Sequence, residues 1–345
     1  MAHYFEQLSA AECGPLVPNA PVCLYLEVTN RCNLLCQTCP RTFASVEPPA
    51  DLSLARFAML VDQIDDLRQL VLHGVGEPLM NPELPAMIAY GKARGARVTF
   101  NSNATLLLPR RQRALIESGL DEYRVSLDAA DAATFRRVRG RDHFDRIVDS
   151  LRQFVALKRV WGVPTPAISL WLVALRDTIH QLAGVVRLAA DIGVPEVYLQ
   201  RLVYGGNGRQ QGVAVASQSL YGTSDAAVGE AIAGAAALAQ SLGVTLRASG
   251  ATTPEQSLWR DQHQRPWSHC RRPWTLMYIT ANGTVLPCCM VPFVERDLGA
   301  LPLGNALVQP LAEIWNGPPY RRFRSALLSD QPPRCCTGCG VRWSL

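Results

Sequence analysis

Between residues 22 and 203, short apolar runs alternate with helical patterns six times, and few folds accept that rhythm. The runs 22–28, 69–73, 97–101, 122–127, 167–174 and 196–203 are short and rich in β-branched and aromatic residues, so they read as strands. Segments 52–67, 84–94, 109–118, 144–160 and 179–191 carry helical periodicity, with Ser53 placed to cap the first. Strands separated by helices are joined by crossovers, which makes the sheet parallel. Six such units in about 180 residues are too few for a complete eight-stranded barrel of ~250 residues. They predict an α/β fold, a partial (β/α)6 TIM-like barrel. Residues 204–224 are rich in Gly, Gln and Ser and read as a linker, 225–242 as an Ala-rich helix, and 244–248 as one more strand. The expected domains are an N-terminal extension (1–21), the barrel (22–205), a linker with a helix/strand extension (206–262) and a small C-terminal α+β domain (263–345).

The chain has eleven cysteines, and none lies between residues 40 and 269. The N-terminus shows no charged leader followed by an apolar core, and no apolar run is long enough for a membrane span. The expected location is therefore cytoplasmic, where clustered cysteines point to metal and not to disulfides. Cys32, Cys36 and Cys39 form a C-x3-C-x2-C loop directly after the first strand, on the barrel face where chemistry belongs. Structural zinc sites close with four ligands. A [4Fe–4S] cluster also offers four irons. Three local thiolates leave one position open. The second group is Cys270, Cys288 and the pair Cys336-x2-Cys339. An Asn282-Gly283 turn predicts a hairpin over 275–286 that brings Cys270 and Cys288 together. Four thiolates fit zinc or a [4Fe–4S] cluster equally well by spacing. The doublets leave Cys288 against Cys289, and Cys335 against Cys336, as alternatives. Cys13, Cys23 and the unused doublet members read as small buried residues. A spare thiol near the substrate could instead donate a hydrogen atom.

The loop, with its Asn30-Arg31-Cys32-Asn33 lead-in, resembles the signature of the radical SAM superfamily. Thr38 stands where that family often has an aromatic residue. The resemblance implies that Cys32, Cys36 and Cys39 bind three irons of a [4Fe–4S] cluster, and that S-adenosylmethionine chelates the fourth. Gly74-Val75-Gly76-Glu77-Pro78 is similar to the family's Gly-Gly-Glu-Pro motif, which implies cofactor contacts by the backbone at Gly74 and Gly76 and by the Glu77 carboxylate. Asn101-Ser102-Asn103 is similar to its Thr-Asn-Gly corner, with Asn101 as the contact. Ser126-Leu127-Asp128-Ala129 is similar to its Ser-x-Asp-Gly. Ser126, with Arg137 preferred over Arg136 and Arg139, is implied to hold the methionine carboxylate or ribose. The tail resembles the Twitch/SPASM auxiliary-cluster domains, with cysteines for one closed [4Fe–4S] cluster on Cys270, Cys288, Cys336 and Cys339.

The family chemistry is reductive cleavage of S-adenosylmethionine to a 5′-deoxyadenosyl radical, which abstracts hydrogen from substrate. The auxiliary cluster then accepts an electron, ligates substrate or relays electrons, and flavodoxin or ferredoxin supplies reducing equivalents. Only 31 residues precede Cys32, too few for a fused leader-peptide-binding domain. That tilts the expected substrate toward a sugar-, nucleoside- or metabolite-type small molecule, with a peptide or protein side chain as the alternative. A non-catalytic iron–sulfur or zinc scaffold would leave the strand-end motifs unexplained. The net charge of +5 is modest, and the basic groups 110–113 and 136–141 read as solvated helix faces. With no aromatic–basic stripe, nucleic acid is not expected as a partner. The sequence names no acid/base residue.

Overall fold

The computed structural model describes residues 13–43, 47–204, 214–222, 225–249, 253–259, 265–295, 298 and 301–337. Seven parallel strands run in chain order across one sheet: β1 (Cys23–Leu26), β2 (Gln69–Val71), β3 (Arg97–Ser102), β4 (Glu122–Ser126), β5 (Ala167–Ala174), β6 (Glu196–Arg201) and β7 (Thr245–Ala248). Helices Leu54–Val61, Leu84–Ala93, Pro109–Glu117, Phe144–Trp161 and Leu182–Ile192 form the crossovers. The apolar runs became strands because both faces of this sheet are covered, as four fully buried residues in β1 illustrate. The expected partial barrel is present. The helix Ala226–Leu242 and β7 extend it beyond the sixth strand, by parallel pairing of β7 with β6. Most of the 204–224 linker lies outside the described residues.

The helix Ala132–Arg139 was not anticipated. It is only eight residues long, so periodicity gave little signal. Its end signals are plain: Asp131 accepts a hydrogen bond from the Thr134 amide (2.8 Å), and Gly140 ends the helix in the left-handed conformation.

The C-terminal region continues the barrel sheet. β8 (Leu276–Ile279) pairs in parallel with β1, placing Tyr278 opposite Tyr25. The expected hairpin then returns as β9 (Thr284–Leu286), with β10 (Gly304–Asn305) at the edge. Residues 14–19 clip this region to the N-terminus: Trp274 Nε1 donates to Gly14 O (2.7 Å), and Asn316 exchanges two bonds with the Val17 backbone.

Arg324, on helix Pro318–Leu327, is fully buried among these pieces. Its guanidinium donates to the carbonyls of Pro273 (2.8 Å) and Trp315 (2.7 Å) and lies over the Trp315 and Tyr320 rings. Burial pushes its pKa down to about 10, so it stays charged at neutral pH. Arg324→Met leaves these carbonyls without donors and is expected to cost about 3 kcal/mol in denaturant unfolding. No helix among the described residues is long and apolar enough to cross a membrane.

Candidate active site

The C-terminal ends of the strands open on one cavity, about 230 Å³ in volume, shared by Cys32, Cys36 and Cys39 with Glu77, Asn101 and Arg139. The cysteine loop is held from below by the helix Ala132–Arg139. Leu35 N donates to Arg139 O (3.1 Å) and Gln37 N to Val138 O (3.0 Å). Two sulfurs also receive polar neighbours: Asn103 Nδ2 lies 3.7 Å from Cys32 Sγ, and Arg139 Nη1 lies 3.6 Å from Cys36 Sγ. Burial raises the Cys32 thiol, and pushes Cys39 up to about 11. Thiols so placed need a strong positive centre to ionise fully. Among the described residues no group of three His, Cys, Asp or Glu is spaced to hold a single metal ion. The three sulfurs instead line one shared cavity.

Glu77 follows β2 and is buried. One carboxylate oxygen accepts from Ser102 Oγ (2.7 Å) and Leu79 N (3.0 Å), the other from Asn103 N (2.6 Å). Burial raises its pKa despite these bonds. It has no ion pair among the described residues.

The neighbouring glycines were expected to let a ligand approach the backbone. Their requirement here is internal. A Cβ at Gly76 would stand 2.0 Å from Thr29 O, and one at Gly74 would stand 2.1 Å from a Glu27 carboxylate oxygen. Glycine lets the β2 loop nest against the cysteine loop, where Glu77 N donates to Arg31 O (2.8 Å).

At the next strand ends, Asn101 and Ser126 line the same cavity. Asp128 adopts a left-handed φ of 61°, strained for a non-glycine residue. Its carboxylate accepts from Val173 N (2.7 Å) and pairs with Arg139 Nη2 (2.7 Å). Arg137, preferred from the sequence, is not among the residues that line this cavity. Arg137 is exposed, two residues from the buried Phe135 and so on the opposite helix face. Arg139 is four residues from Phe135, on the inward face, and lines the cavity. Asn103, which the sequence did not single out, lies between Glu77 and Cys32.

The far wall is aromatic. Trp171 and Tyr198 stack at 4.0 Å, with the Arg124 guanidinium 5.0 Å from the Trp171 ring and paired to Glu122 (2.8 Å). No motif marks these residues, which come from three strands. His73 also faces the cavity, held neutral by burial and by Arg124, with its pKa pushed down to about 3.

A second, small cavity is lined by Cys270, Cys288, Cys335 and Cys336 within a largely apolar wall. Cys339 lies outside the described residues. The Cys288–Cys289 doublet divides: Cys288 faces this cavity, whereas Cys289 faces the first.

Two family models match the chain. The Radical SAM superfamily model matches residues 26–165, and the SPASM iron-sulfur cluster-binding domain matches residues 270–340. The chain is a radical SAM enzyme with a SPASM domain. It is 27% identical over 325 residues to a PqqA peptide cyclase of Streptomyces rochei, covering 92% of this chain and 82% of that one. A PqqA peptide cyclase of Xanthomonas campestris pv. campestris (strain 8004) is 27% identical over 330 residues, covering 93% and 80%. Among solved structures, Streptococcus suis SuiB bound to precursor peptide SuiA superposes with a TM-score of 0.66 at 16% identity, covering 94% of this chain and 73% of that one. At that identity it shows the shared fold.

The radical SAM domain binds S-adenosylmethionine and a [4Fe–4S] cluster, and the SPASM domain binds auxiliary iron–sulfur. The residues present fit these groups. A buried carboxylate without an ion pair suits an ammonium. Asn101 Oδ1 and Arg139 Nε are buried without protein partners in the same cavity, so polar ligand atoms would satisfy them. The enclosed thiol-lined second cavity suits an auxiliary cluster.

Proposed function

We propose that this radical SAM enzyme modifies a side chain of a peptide. The observation that carries the reading is relationship to PqqA peptide cyclases across more than nine-tenths of the chain, through both cysteine regions. It supports a peptide over the small molecule expected from the short stretch before Cys32. The cofactor pair, when bound, supplies hydrogen abstraction from an unactivated C–H bond.

The chain's own residues do the rest. Cys32, Cys36 and Cys39 hold the first cluster. Glu77 receives the cofactor ammonium, supported by the backbone at Gly74 and Gly76. Arg139 suits the cofactor carboxylate because its fork matches both oxygens. Asn101 and Ser126 complete that contact. Asp128 orients Arg139 from behind. Cys270, Cys288, Cys336 and Cys339 hold the auxiliary cluster, and Cys335 lines the same cavity. Trp171, Tyr198 and Arg124 form the wall available to substrate, excluding water from the reacting carbon. Flavodoxin or ferredoxin is the proposed electron donor.

The test is anaerobic incubation with short peptides encoded beside the gene, against a panel of sugars and nucleosides. A peptide is expected to raise 5′-deoxyadenosine formation about tenfold and to change in mass or stereochemistry. Stimulation by a small metabolite alone would return the assignment to the other substrate class.

A further inference from the structure

Glu27 stands at the C-terminal end of β1, five residues before the first cluster cysteine, and only 2% of its surface is exposed. Three parts of the fold donate to its carboxylate. Val75 N, in the loop that carries Glu77, donates at 2.7 Å. Ala281 N, at the turn of the SPASM hairpin, donates at 3.3 Å, and Tyr278 Oη, on β8, also at 3.3 Å. Gly74 is excluded from carrying a side chain by this same carboxylate. The charged groups around it are few. Glu47 reaches over from the segment after the cysteine loop and donates nothing, being bound by Thr280 and Thr284. Arg31 and Arg41 line the same neighbouring cavity but are committed to Asp51 and to Leu34 O. None of the described ion pairs includes Glu27.

We propose that Glu27 is a positioning residue that ties the cofactor loop Gly74–Glu77 to the SPASM hairpin, so that cofactor affinity depends on its charge state. This rests on the reading that Glu77 and its loop hold S-adenosylmethionine. Ionised, Glu27 accepts all three bonds and pins Val75 N. Protonated, it becomes a donor on one oxygen, and the three bonds cannot all be kept. Burial raises its pKa to about 7, only partly offset by the Val75 and Ala281 amides. The two consequences have opposite signs. Cofactor binding is strongest above pH 7 and weakens as pH falls through it. Folding stability from this group is complete below the unfolded pKa near 4.5 and is lost as pH rises through 7, because the three hydrogen bonds offset only part of the cost of burying the charge.

The experiment uses the anaerobically reconstituted full chain and S-adenosylmethionine itself, with dissociation constants and melting temperatures measured from pH 6 to 8.5. The cofactor's own amino group titrates with every variant and cancels in the comparison. Glu27→Gln is expected to bind about tenfold more weakly at pH 8, to lose the wild-type rise in affinity across pH 7, and to melt at a temperature that falls less with pH. Tyr278→Phe removes one donor to the charged form, so it should move the affinity midpoint upward while leaving the fold intact. Equal affinity and an identical pH curve for Glu27→Gln overturn the proposal, and so does an unmoved midpoint for Tyr278→Phe if Glu27→Gln does not fold. Glu77→Ala separates the two readings. If it binds normally, the cofactor-loop assignment fails. If it binds weakly while Glu27→Gln binds normally, only the role of Glu27 fails.

Discussion

Glu77→Ala is expected to weaken S-adenosylmethionine binding by about 2–5 kcal/mol, from thirtyfold to several thousandfold, with iron content unchanged. The size follows from burial. The carboxylate already accepts from Ser102, Leu79 and Asn103, and it makes no ion pair among the described residues. An ammonium bound there would be desolvated and would depend on this charge. Truncation leaves it unpaired, which costs more than the bond was worth. The count of irons separates this from unfolding, because the cysteine loop is held by Arg139 O and Val138 O and not by Glu77's side chain. Equilibrium binding under anaerobic conditions measures it. Unchanged affinity would remove Glu77 from the cofactor site. Arg139→Met should act in the same direction, whereas Arg137→Met, on the exposed helix face, should leave binding alone.

How far the site could be read from sequence depended on whether each part was local. The cysteine loop, the β2 corner and the β3 corner are contiguous motifs at strand ends, and their order carried the reading. Arg139 was one of three candidates and ranked below Arg137, because the helix is only eight residues long and carries three arginines within four positions. The end signals at Asp131 and Gly140 would have fixed which arginine turns inward. Gly74 and Gly76 were legible as requirements but not as to cause, since their constraint comes from Glu27, Thr29 and Arg31 across a strand pairing. The pairing of β8 with β1 joins residues about 250 apart and leaves no local trace. The same holds for the Trp171–Tyr198 wall. Spacing also could not decide between Cys288 and Cys289, which differ only in the side of the backbone each sulfur leaves from.

That doublet carries the second large effect. Cys288→Ala is expected to lower bound iron from about eight to about four per chain, while 5′-deoxyadenosine is still formed in dithionite and substrate conversion is lost. Cys288 lines the cavity it shares with Cys270 and Cys336, which is why it is proposed as a ligand of the auxiliary cluster. The loop of Cys32, Cys36 and Cys39 is built on other strands and keeps its own site. Cys289→Ala should leave iron at about eight, because its sulfur faces the main cavity. Its effect falls on substrate instead. A thiol there has the weakest hydrogen bond to heavy atom in the cavity wall, and its removal changes the yield of product per 5′-deoxyadenosine. Iron, 5′-deoxyadenosine and product measured on both variants distinguish the roles. A metal site can contribute folding energy outright, so Cys288→Ala must first melt cooperatively. If that folded variant converts substrate at the wild-type rate, the auxiliary cluster is structural. If Cys289→Ala is the one that loses four irons, the two sulfurs have been assigned to the wrong sides.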